Sequence, residues 1–117
     1  MRRRHLHFFN NVMARLGFHG WTLRPCKDSY CWEKQKRIDY NPGYDGDPRQ
    51  IILHEIAHIG TARFCNQRHN KAFWDRLEDL NSRFLGKSLD GHQLKHKTYT
   101  SEGRKALCYD SRGQKKP

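Results

Sequence analysis

The sequence predicts an α+β fold: an N-terminal helix, a short β-sheet, a second helix, a third helix close behind it, and a basic, irregular C-terminal tail. Three observations predict it. Apolar residues recur at helical spacing in three separate stretches, 6–16, 51–64 and 73–84. Between the first and second lie aromatic and β-branched residues, interrupted by Pro25 and by the turn-rich run Asn41 to Asp47. The excess positive charge sits at both ends. Residues 1–40 hold nine Lys/Arg against three acids, and residues 87–117 hold eight against three. The middle of the chain is balanced.

A chain of 117 residues makes one domain with a modest core. With 35% apolar residues, and a mean hydropathy of −1.07, not all of it can pack. We therefore expect a folded domain over 1–86 and a basic, partly irregular extension over 87–117. No run of about 18 apolar residues exists, which excludes a spanning helix, and no membrane partner is expected. The stretch MRRRHLHFFNNVMARLG lacks a continuous apolar core, so no secretory signal is expected. Cys26, Cys31, Cys65 and Cys108 show no C-x-x-C pairing and read as reduced thiols of a cytoplasmic protein.

The first helix should run from Arg2 to Leu16. Leu6, Phe9, Met13 and Leu16 share a face with Val12 beside them, and Gly17 follows at the C-cap position. Trp21–Leu23 has strand-type residues and stops at Pro25. Cys31–Tyr40 reads as a second strand or a bent hairpin arm. Asp47 is then an N-cap, Pro48 takes the first helical position, and Gln50 stands three residues after Asp47. In the helix that follows, Ile52, Ile56 and Ile59 form one apolar stripe, with Leu53, Ala57, Gly60 and Phe64 adjacent. His54, Glu55 and His58 fall outside both stripes, together with Ile51. After a connection, Asn70 caps a helix to about Leu85, with Phe73, Leu77, Leu80 and Phe84 inward. Lys71/Asp75 and Asp79/Arg83 are opposite-charge pairs on its exposed side. Thr98–Thr100 and Ala106–Tyr109 can form a hairpin, and the last seven residues look disordered.

The chemistry centres on His54-Glu55-Ile56-Ala57-His58, an H-E-x-x-H motif. On a helix, positions i and i+4 share a face, so both imidazoles can reach one metal ion. Glu55 lies about 100° round from His54, placed to act on a water rather than to ligate. A catalytic zinc needs a third protein ligand and an open position. A His six residues after the second, the metzincin pattern, is absent, because that residue is Phe64. Glu78 on the following helix is one alternative. His69, eleven residues after His58, is preferred.

HEIAH, then a His followed by a polar residue and an aromatic pair (His69, Asn70, Phe73-Trp74), resembles the SprT-like group of zinc metallopeptidases. That group includes the Spartan and WLM-type proteases, and this chain is closest in size to its small phage-encoded members. The run Arg37–Asn41 (RIDYN) is similar to the strand that precedes the metal helix there. The resemblance covers about residues 30–76. It implies a compact minimal zincin over 1–86 with Zn2+ on His54, His58 and His69 and with Glu55 as catalytic base. It also implies a protein or peptide substrate, and a host cytoplasm if the chain is phage-encoded. The strand would line the cleft and pair with extended substrate. The group's downstream zinc ribbon is missing: only Cys108 lies beyond Cys65.

Other residues carry weaker signals. Tyr40, Tyr44, His92 and His96 are candidates for polarising the substrate carbonyl. His92 and His96 are themselves an i,i+4 pair and read as surface residues. Cys26 and Cys31 lack a matching second pair and read as unrelated thiols. A net charge of +11 makes nucleic acid a candidate partner through the basic ends. Two rival readings stand beside the peptidase. One is a zinc hydrolase acting on RNA. The other is a basic nucleic-acid-binding protein with a structural metal.

Overall fold

The computed structural model describes residues 1–60, 69 and 71–97. The expected connection over 61–68, the Asn70 cap, Cys65, Cys108, the 98–109 hairpin and the last seven residues lie outside the described residues. The fold is α+β, with helices α1 (Arg3–Leu16), α2 (Pro48–Ala57), α3 (Lys71–Leu85) and α4 (Gly91–Lys97). Strands β1 (Thr22–Pro25), β2 (Tyr30–Trp32) and β3 (Arg37–Tyr40) form one sheet. The chain divides into two compact units, Met1–Ile56 and Ala57–Pro117, the boundary falling inside α2.

In the first unit, α1 buries His5, Phe9, Val12 and Met13. That is a helical stripe, but it begins at His5 rather than Leu6. The His5 imidazole tolerates burial because its Nδ1 is hydrogen-bonded at 2.9 Å to the Tyr40 hydroxyl. Burial, with the Arg4 and Arg2 charges next, lowers the His5 pKa. The helix ends as expected. Gly17 takes a left-handed φ of 78°, its N–H donates to Ala14 O, and Phe18 N–H donates to Met13 O.

The sheet order is β1-β3-β2, with β1 parallel and β2 antiparallel to β3. The segment 31–40 is therefore a hairpin rather than one strand, turning over Glu33–Lys36 with Lys36 at a positive φ of 52°. This corrects the expected role of Arg37–Tyr40. As the central strand, its backbone is hydrogen-bonded on both sides, so it cannot add an extended substrate. Leu23, Ile38 and Cys31 are register partners on the inner face, where Leu23 and Ile38 are buried.

The turn 41–47 leads into α2 through the expected cap. The Asp47 carboxylate accepts the Arg49 N–H at 3.0 Å and pairs with the Arg49 guanidinium. Every residue from Gln50 to Ile59 is buried. In the second unit, α3 buries Phe73, Trp74, Leu77 and Leu80. The Lys71/Asp75 and Asp79/Arg83 pairs are present at 2.7 and 3.8 Å. Helix α4 falls in a stretch expected to be partly irregular, and Asp90 caps it by accepting the Gln93 N–H at 2.9 Å. No helix among the described residues is long and apolar enough to cross a membrane.

Candidate metal centre

Helix α2 carries His54, and His58 follows its last residue, four positions on; they are 5% and 9% exposed, with Glu55 also 5% exposed. Two imidazoles and a carboxylate are thus withdrawn from water beside the buried Ile51, Ile52, Leu53, Ile56 and Ala57. Burying that many polar groups is unfavourable unless something engages them. His69 supplies a third imidazole just ahead of α3 and is half-buried. The candidate ligand atoms of His54, His58 and His69 all lie within 4.8 Å of one another. Bonds of about 2.0–2.1 Å to a tetrahedral ion bring the nitrogens closer together than that bound. Among the described residues three imidazoles form this donor set, which suits zinc and also copper, iron and nickel. The chain can therefore hold a metal ion here.

The first turn of α3 explains why an aromatic pair follows His69. The Phe73 ring stacks on His58, with centroids 4.3 Å apart and planes 27° from parallel. It meets His69 edge-on at 4.9 Å. Trp74 lies 5.8 Å from His69 and packs against Phe73 at 4.8 Å. Both aromatics are fully buried. They pack against two of the three imidazoles. Arg76 donates from Nη1 to the Ile59 carbonyl, next to His58 in the chain.

Glu55 sits in an unusual field. Burial, with the Asp39 charge second, pushes its carboxyl up to about 8. A dication held by the neighbouring imidazoles acts in the opposite sense and favours the carboxylate. The Cys31 thiol is pushed up to about 12 by burial, with the Glu55 and Glu33 charges adding, so it is an inert thiol. Cys26 is also free.

Glu78, the alternative third ligand, is not in the cluster. Its carboxylate is ion-paired with Lys97. Tyr40 is fully buried and its hydroxyl is engaged by His5, which removes it as a carbonyl-polarising group. Tyr44 is half-buried on the turn ahead of α2, and His92 is exposed. His96 corrects the surface reading. It is half-buried, its ring edge-on to His69 at 4.5 Å and to Trp74 at 5.5 Å. Burial, then the His92 charge, lowers its pKa. Sequence reasoning missed this neighbour of His69. The available signal was the spacing Asp90-Gly-His-Gln93, which repeats the cap pattern of Asp47–Gln50 and announces a helix. Comparison with protein-family models, with curated proteins and with solved structures finds no match, so the functional reading rests on this geometry.

Proposed function

We propose that this chain is a zinc-dependent metallopeptidase of the SprT-like kind, hydrolysing peptide bonds. The observation that carries the reading is the convergence of His54, His58 and His69 within 4.8 Å, beside a carboxylate on the same helix that is not among the grouped ligands. A structural zinc site is closed by four protein ligands, whereas three with an open position is the catalytic pattern. When bound, zinc supplies Lewis-acid polarisation and makes water a nucleophile near neutral pH. His54, His58 and His69 hold the ion as neutral imidazoles. Glu55 accepts the proton of the attacking water on its carboxylate and delivers it to the nitrogen of the leaving amine as the C–N bond breaks. Burial by itself favours the neutral acid of Glu55, so the charge of a bound zinc is what would keep it ionised as the base.

Glu55→Gln tests the assignment, because it preserves shape and removes the base. The variant is expected to retain zinc and to lose casein hydrolysis by at least ~100-fold. Hydrolysis at the wild-type rate would remove Glu55 from the mechanism. Parallel assays on casein and on RNA separate peptidase from ribonuclease, and cleavage of RNA alone would reverse the reading.

A further inference from the structure

The outer face of the sheet carries a cluster that the metal centre does not use. Register places Arg24, Asp39 and Tyr30 in one row across the three strands, and Thr22, Arg37 and Trp32 in the next. These residues alternate with Leu23, Ile38 and Cys31 and so share the opposite face. Tyr30 and Trp32 are 46% and 38% exposed. Their ring centroids are 4.7 Å apart at 58°, and the Arg37 guanidinium lies 5.0 Å over the indole.

Asp39 organises this surface from beneath, with only 3% of its area exposed. It accepts hydrogen bonds from Arg24 Nε and Nη2 at 3.2 and 3.0 Å, from Arg37 Nε at 3.1 Å, and from Trp32 Nε1 at 2.8 Å. One buried carboxylate thereby fixes an indole and two guanidiniums in place. Two cations against one acid leave the face positive, and the adjoining turn adds Lys34 and Lys36 against Glu33. A guanidinium has five N–H donors, and these contacts use two on Arg24 and one on Arg37.

A fixed, exposed aromatic pair set among guanidiniums matches one ligand chemistry closely. Unpaired bases stack on aromatic faces, and the linking phosphates take guanidinium donors. Duplex DNA hides its base faces, and an acidic peptide engages the cations but offers nothing to the rings. We infer that this sheet face binds single-stranded nucleic acid, with Tyr30 and Trp32 stacking bases and Arg24 and Arg37 meeting phosphates. The charge of the whole chain, +11, favours the same partner. The site is independent of the metal and of the peptidase reading.

The test is fluorescence anisotropy of a labelled oligothymidylate with the full chain at fixed salt. Competition by a duplex of equal length and by polyglutamate is measured beside it. Tyr30→Ala and Trp32→Ala are each expected to weaken oligothymidylate binding roughly 5- to 100-fold. Trp32→Phe, which loses the N–H to Asp39 but keeps a ring, retains most of it. Duplex and polyglutamate affinities stay unchanged in all three, while Arg24→Ala weakens every ligand. Thermal melts confirm that each variant is folded, and Tyr30→Ala leaves the hydrogen bonds of Asp39 to Arg24, Arg37 and Trp32 in place. No oligothymidylate binding by the wild type would overturn the inference. So would unchanged affinity in both alanine variants, or equal losses for duplex and single strand.

Discussion

Asp39 ties the sheet together through a group that ought to be unfavourable inside a protein. Burial raises its pKa, but hydrogen bonds from Arg24 and Trp32 and the charges of Arg37 and Arg24 outweigh it, and the net direction is downward. A carboxyl lowered in the folded state stabilises the fold above its unfolded pKa of about 3.9, and that contribution disappears as pH falls through the lowered value. Asp39→Asn should therefore unfold more easily in urea at pH 7, by about 1–3 kcal/mol, with the deficit shrinking toward zero in strong acid. A deficit that does not change with pH would show that packing, not charge, is what Asp39 contributes. Residues differ in how legible they were. His54, Glu55, His58 and His69 could be read from the sequence, because the H-E-x-x-H spacing and the His69 that precedes Phe73-Trp74 are local patterns. Asp39, His5 and His96 could not. Their partners, Arg24, Tyr40 and His69, lie 15, 35 and 27 positions away along the chain, and only strand register or packing brings them together.

At the scale of elements, α2 shows a start written fully into the sequence. Asp47 caps it, Pro48 supplies a fixed φ at the first position, and the backbone N–H of Arg49 finds the Asp47 carboxylate. Asp47→Ala should lower stability by about 1 kcal/mol, measured by chemical denaturation. A loss within error would mean that neighbouring packing, rather than the cap, holds the helix entry. The hairpin of β2 and β3 was harder to see. Its turn, Glu33-Lys34-Gln35-Lys36, contains no Gly, Asn or Pro, and the positive φ falls on Lys36. Without those residues, the break between strands leaves little trace in composition, and 31–40 reads as one bent arm. That difference matters for substrate binding, because it places Arg37–Tyr40 between two partners and puts β1 and β2 at the sheet's edges.

For the whole molecule, the α+β class followed from periodicity and turn chemistry. The third helix face is an instance: Phe73, Leu77 and Leu80 are all buried as spaced. The proposed metal links folding to binding, since its ligands come from two stretches of chain and the unfolded chain offers no preformed site. Zinc at about 100 times its dissociation constant should raise unfolding free energy by about 2.7 kcal/mol, seen as a higher melting temperature that chelator reverses. A melting curve indifferent to both would argue against a metal centre. The central claim, a three-imidazole site with His69 as its third ligand, is tested most directly by zinc content after exhaustive dialysis. Wild type, His69→Ala and Glu78→Ala would be compared, with metal measured by atomic emission. The account predicts about one zinc per chain in the wild type and in Glu78→Ala, and little in His69→Ala. A wild type without zinc, or a loss confined to Glu78→Ala, would contradict it.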